Sequence, residues 1–221
     1  DTPSSINYML TGKGILQSHT GEAGGFFKST EDKNIPDLQW TFLPAKMNDH
    51  GRDIKSLMSY GMTGHVTLLR PKSRGDVGLI SSDPTAAPKI QLNMLSHPDD
   101  MKDMVVGVRK TRELMDSPVF SEYKTEELYP GDGCESDAAI EEFLRRKANH
   151  IYHPIGTCKM GIDDMAVVDP QLRVHGLKGL RVVDASVMPS LIGGNTNAPT
   201  IMIAEKASDM ILDAHNEKRA S

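Results

Sequence analysis

The sequence predicts an α+β fold: an antiparallel sheet with flanking helices, followed by a last strand and a last helix. Three observations predict it. Short β-prone runs between residues 37 and 93 are separated by turns rich in Gly and Pro. Two later segments carry apolar residues at helical spacing. Near the end, an apolar run closed by an acid precedes a Pro-containing helix start.

Ser5 to Leu16 contains Gly12-x-Gly14. The third glycine of a dinucleotide loop would fall on Gln17, and no apolar strand precedes the pair, so it is not a nucleotide fingerprint. Asp37 to Leu43 has strand character, with Trp40 and Phe42 on one face and Gln39 and Thr41 on the other. Pro44 to Lys55, which includes Asn48-Asp49-His50-Gly51, reads as a solvated loop. Gly64 to Leu69 is a second strand, and Arg70 to Asp76 a basic turn. The adhesion-like tripeptide Arg74-Gly75-Asp76 belongs to that turn and carries no weight. Val77 to Ser81 is a third strand. Asp83-Pro84 and Ala87-Pro88 bracket the next turn, and Lys89 to Asn93 gives a fourth.

Pro98 to Met115 is a helix. Met101, Met104, Val105, Val108 and Met115 recur on one face, the methionines as core filling, and Pro118 ends the element. Ser136 caps a second helix, to Ala148, with Ile140, Phe143 and Leu144 inward. Glu141, Glu142, Arg145 and Arg146 form its paired, solvated face. Leu180 to Val183, closed by Asp184, reads as a buried parallel strand with a ligand at its carboxyl end. Pro199 and Thr200 start a helix to about Ala214, with a fraying polar tail behind it.

The chemistry-bearing stretch is His150-Ile-Tyr-His-Pro-Ile-Gly-Thr-Cys-Lys-Met-Gly. A histidine titrates near neutrality, which suits it to accepting a proton, and His153 is the candidate. Pro154 fixes the backbone beside it, and Gly156 permits close approach of a bulky group. His150, His153 and Cys158 match no zinc spacing, so no metal is expected.

By itself His153-Pro-x-Gly-Thr is unspecific. Followed by Leu180-Arg-Val-Val-Asp-Ala-Ser and then Gly193-Gly-Asn-Thr-Asn-Ala-Pro-Thr, it resembles the C-terminal part of the glucose–methanol–choline (GMC) oxidoreductases, flavoenzymes that oxidise alcohols. The choline-dehydrogenase-like members are the nearest in pattern. Gly21-Glu-Ala-Gly-Gly-Phe-Phe and Pro88-Lys-Ile-Gln-Leu-Asn extend the match, with Met94 where the family usually has tyrosine. The resemblance implies FAD as cofactor and His153 as proton acceptor beside the flavin. The family's second catalytic position falls on Asn197, whose amide would orient the substrate oxygen; a helix cap is a compatible reading of the same residue. Asp184 and Ala185 would contact FAD. Asn197, Ala198, Pro199 and Thr200 would set the positive helix end against the flavin pyrimidine. Taken alone, Asp184 reads equally well as an acid that ends a strand.

The implied organisation is an FAD-domain-related segment at 1–27, a substrate-binding domain at 28–166 and the C-terminal part of the FAD domain at 167–221. The family's G-x-G-x-x-G fingerprint does not occur in the chain, so the expectation is a C-terminal fragment. Its partner would be an N-terminal FAD-binding fragment, or the chain would self-associate. The implied reaction oxidises a primary alcohol, choline-like or another small alcohol, to an aldehyde. Electrons would pass on to oxygen or a quinone. The rival reading is a non-catalytic folded fragment or partner-binding module without FAD.

Composition bounds these readings. The 221 residues make one large or two small domains. With 38% hydrophobic and 25% charged residues, a sizeable core is available. The net charge of −5 argues against a nucleic-acid surface. No apolar run approaches the ~18 residues of a membrane span. The chain begins at Asp1 without a signal peptide, which leaves a removed leader open. Cys134 and Cys158 make no disulfide framework and fit a cytoplasmic setting, with peripheral attachment at the inner membrane left open. Aromatic residues are only 5%, and no cage for a quaternary ammonium group is evident.

Overall fold

The computed structural model describes residues 2–14, 17–19, 21–49, 52, 53, 55 and 59–220, without the side chains of 2–5, 217, 218 and 220. The chain forms two compact units, Asp1–Leu68 with His97–Lys147, and Leu69–Ser96 with Ala148–Ser221. The fold class is α+β, as the sequence predicts, and among the described residues no helix is long and apolar enough to cross a membrane.

The first unit opens with α1 (Thr2–Thr11). The sequence reading has no helix there, because no apolar face marks one: Ile6, Met9 and Leu10 are all exposed. Gly12 ends α1 at φ 64° and donates its N–H to Tyr8 O at 2.8 Å, so the first glycine of the Gly-x-Gly pair is a helix stop. Three strands follow as an antiparallel meander: β1 (Ala23–Phe27), β2 (Leu38–Leu43) and β3 (Thr63–Leu68). β1 was not legible, since Ala-Gly-Gly-Phe-Phe has no alternation to mark it. Trp40 and Phe42 share a face, as their spacing predicts, and Phe42 stacks on Phe120 with ring centroids 5.3 Å apart. In the 44–55 loop, His50, Gly51 and Ile54 lie outside the described residues.

α2 (Pro98–Met115) has the predicted bounds. His97 caps it, its Nδ1 accepting the Asp99 N–H at 3.2 Å. Met101, Met104, Val105 and Val108 are buried as their periodicity requires, while Met115 is half-buried. α2 packs on β3 and β2 and against α3 (Asp137–Lys147), whose Ile140 and Leu144 are buried. The Ser136 hydroxyl accepts the Ala139 N–H at 3.2 Å, the expected cap. Arg145–Glu141 and Arg146–Glu142 are i,i+4 pairs on the solvated face. Arg112 grips Glu127 through two nitrogens, each at 2.9 Å, and donates to Cys134 O at 2.7 Å, tying α2 to the following loop.

The second unit holds an antiparallel pair, β4 (Asp76–Gly78) and β5 (Lys89–Gln91). Both are shorter than predicted. At the far end of β5 the reason is Asn93, at φ 48°, whose carbonyl takes the Ser96 N–H in a turn. The core of this unit is Val168, Leu172, Val187, Met188, Ile203 and Ala207. The last two project from α4 (Asn197–Ala220), which begins two residues earlier and ends later than the sequence predicts.

The run from Leu180 to Val183 is not a buried parallel strand. Leu180 is 49% exposed, and among the described residues the pairing of Arg181 is an isolated antiparallel bridge to Arg173. A parallel neighbour requires a long crossover, whereas the residues just upstream are reached by a tight turn. That turn uses Gly176 and Gly179, both at φ 77°, and brings Val174 N to Leu180 O at 3.0 Å and Val182 N to Leu172 O at 3.2 Å.

Candidate active site

His153 lies in an irregular stretch of the second unit. Tyr152 before it holds φ 63°, and Pro154 follows, so the backbone is constrained on both sides. The downstream end of this stretch is laced to the core. Gly156 turns the chain at φ 84°, Cys158 N donates to Ser186 O at 3.0 Å, and Met160 N donates to Val187 O at 2.8 Å. Val187 is fully buried, so these bonds anchor the stretch to the packed part of the unit. His153 is half-buried, and burial pushes its pKa below the ordinary 6.5. The neutral imidazole, the form that accepts a proton, therefore predominates at neutral pH.

Asp184 turns its side chain on its own backbone. It caps the 3₁₀ turn Ala185–Val187, accepting the Ser186 N–H at 2.8 Å and the Ser186 hydroxyl on the same oxygen. Ala185 packs at the margin of the core.

α4 starts at Asn197, so Pro199 is its third residue and not its first. Thr196 is buried, and its carbonyl takes both the Thr200 N–H at 3.0 Å and the Thr200 hydroxyl at 2.7 Å. The first-turn N–H groups of a helix have no intrahelical acceptor, so a proline anywhere in that turn removes a donor the helix does not need. Asn197 and Ala198 are exposed, and among the described residues the Asn197 amide makes no side-chain hydrogen bond. This end offers free backbone donors, a partial positive charge and one free carboxamide.

The contact that joins the two halves of the site is with Asn195, which the sequence reading passed over. Its Nδ2 lies 3.5 Å from His153 Nε2. The signal was a polar residue in the same Gly-Gly-Asn-Thr-Asn string, and only the fold shows which of the two asparagines meets the histidine. Gly193, in the same loop, lies beneath the guanidinium of Arg70. Among the described residues no group of three His, Cys, Asp or Glu side chains is placed to hold a metal ion.

Residues 71–204 match the family described as GMC oxidoreductase. The chain is 48% identical over 207 residues to an alcohol dehydrogenase [acceptor] of Pseudomonas putida, covering 94% of this chain and 37% of that protein. It is 47% identical over 204 residues to an oxygen-dependent choline dehydrogenase of Klebsiella pneumoniae, covering 92% and 36%. Among solved structures, a formate oxidase of Aspergillus oryzae RIB40, in which FAD modification was studied, superposes with a TM-score of 0.85 at 26% identity. That superposition covers 98% of this chain and 42% of the other. The chain spans little more than a third of the length of the two bacterial relatives. With the His-Pro stretch, the Asp-Ala-Ser turn and the Asn-Ala-Pro-Thr helix start gathered in one unit, the chain belongs to the GMC oxidoreductase family.

Proposed function

We propose that the chain is the C-terminal portion of an FAD-dependent enzyme that oxidises a primary alcohol, choline-like or another small alcohol, to an aldehyde by hydride transfer to flavin. The observation that carries this reading is the meeting of His153, a half-buried imidazole favouring its neutral form, with the loop that opens α4. His153 takes the hydroxyl proton. Asn197, whose carboxamide has no protein partner among the described residues, orients the alcohol oxygen. The flavin, when bound, supplies the hydride acceptor.

The residues fit such a group. The free N–H donors at Asn197 and Ala198 suit the electron-rich edge of a flavin, and Pro199 and Thr200 complete that turn. Asp184 and Ala185 would face the cofactor from the 3₁₀ turn, with the second carboxylate oxygen of Asp184 left for it. In the intact enzyme we assign 1–27 and 167–221 to the FAD domain and 28–166 to the substrate domain. The compact units differ in grouping Leu69–Ser96 with Ala148–Ser221.

The chain covers about a third of its relatives, and Leu177, Leu180, Ile201, Met202 and Leu212 stand exposed on its second unit. These observations favour an N-terminal FAD-binding segment, or a second copy, as partner. They also favour a second reading, in which the isolated chain folds without FAD and has no activity of its own. Oxygen or a quinone would reoxidise the enzyme, in the cytoplasm or at the inner-membrane surface.

The visible spectrum of the purified chain, with FAD added and then candidate alcohols, separates the readings. A bound flavin that bleaches with an alcohol supports catalysis by this portion or by a copurifying complement. No bound flavin confines the activity to the intact enzyme.

A further inference from the structure

We propose that the β4–β5 ribbon is a docking surface for an anionic lipid bilayer. Val77 pairs with Ile90 across the ribbon, so the two share one of its faces. Leu79, Ile80 and Leu92 follow directly after the two strands. Val77 is 52% exposed, Leu79 89%, Ile80 64% and Ile90 61%. Single apolar side chains at a surface need no explanation, but a contiguous exposed group marks an interaction site. The ribbon presents them on a closed frame. A Cβ on Gly75 would lie 2.2 Å from Gln91 O, and Asn93 Nδ2 donates to Arg74 O at 3.2 Å.

Charge says what kind of partner the ribbon fits. Residues 70–92 carry Arg70, Lys72, Arg74 and Lys89 against Asp76 and Asp83, four cations and two carboxylates, a net charge of +2. The whole chain carries −5, so the remaining residues carry −7. The basic excess therefore coincides with the exposed apolar segment. Arg74 spends two hydrogen bonds on the carbonyls of Pro71 and Ser73, and among the described residues neither it nor Lys89 has a carboxylate partner. Asp83 turns inward on its own loop, accepting the N–H and hydroxyl of Thr85. Apolar side chains beside uncompensated cations match acyl chains beneath anionic headgroups, and a bilayer surface meets both at once. The inference deepens the inner-membrane alternative above and uses no step of the oxidation, so loss of either leaves the other standing.

The test is sedimentation of the 221-residue chain with vesicles of equal parts phosphatidylglycerol and phosphatidylcholine, and with vesicles of phosphatidylcholine alone. We expect binding to the anionic vesicles that weakens as salt is raised, and much weaker binding to the neutral ones. L79S/I80S should weaken the anionic binding about tenfold or more, since two buried aliphatic side chains are removed. R74Q/K89Q should weaken it about twentyfold, each cation near such a surface contributing about fivefold, and should leave the neutral binding unchanged. L212S, on α4 and outside the ribbon, should bind as the wild type does. Equal binding to both vesicle types, no binding to either, full binding by L79S/I80S or by R74Q/K89Q, or loss of binding in L212S overturns the proposal. Hydrogen exchange locates the contact: amides of 76–92 should slow on anionic vesicles. Slowing of the same amides without vesicles, at raised chain concentration or in the intact enzyme, assigns the ribbon to a second copy or an N-terminal segment and overturns the proposal. The readout needs neither flavin nor alcohol.

Discussion

Gly107 of α2 lies so close to Val66 of β3 that a Cβ at Gly107 would come 2.8 Å from Val66 Cγ2. The helix sits on the sheet at a distance that only a glycine permits. Val66 is β-branched and stiff, so it cannot turn aside as a long side chain would.

Gly107→Ala should therefore destabilise the first unit. Alanine gains about 1 kcal/mol of helix propensity. Overpacking a filled core costs about 1–3 kcal/mol, and against a stiff neighbour we expect the upper part of that range. The net loss should be about 1–2 kcal/mol in urea unfolding. Adding Val66→Ala makes room for the new methyl, so the double variant should lose less than the sum of the singles. Strict additivity would mean that the close approach is not the cause.

Asp37 is buried where the chain enters β2, and accepts the Ser29 N–H and the Ser29 hydroxyl, both at 2.7 Å. Lys33 Nζ lies 3.0 Å from carboxylate oxygens of both Asp37 and Asp103, and this pins the loop between β1 and β2 to α2. Burial raises the Asp37 pKa, but the bonds from Ser29 and the Lys33 charge outweigh it and hold the carboxyl below 3.8. A group depressed in the folded state stabilises above its unfolded pKa and loses that contribution as pH falls through the folded value. Asp37→Asn should cost about 2 kcal/mol at pH 7 and flatten the acid limb of stability below about pH 4. Equal acid dependence in the variant and the parent chain would exclude Asp37 as a source.

His153→Ala in the intact enzyme should lower turnover about a hundred- to ten-thousandfold, the usual contribution of a general base, while flavin stays bound. Because the neutral ring is the active form, kcat/KM should rise with pH and level off. Burial places that limb below pH 6.5. A limb well above that value would point to a different titrating group.

The sequence by itself determined the elements whose signal is local. α2 could be read to the residue because Met101, Met104, Val105 and Val108 must share one face for the helix to bury anything. β2 and β3 were legible within a residue from their alternation and flanking turns, and the Ser136 cap from its side chain alone. The order of the His-Pro, Asp-Ala-Ser and Asn-Ala-Pro-Thr segments was enough to point to the family.

Tertiary structure decided the rest. Pro199 looked like the first residue of α4. The buried Thr196, whose carbonyl takes the Thr200 N–H and hydroxyl, precedes a start two residues earlier. Leu180 to Val183 carries the composition of a parallel strand, but a strand exists only where a ladder partner stands, and the partner here is the antiparallel segment around Arg173. The contact between His153 and Asn195 spans 42 residues, and no spacing rule distinguishes Asn195 from Asn197 as its partner. Periodicity and capping are properties of neighbours in sequence. Which polar group meets which depends on how the chain returns to itself.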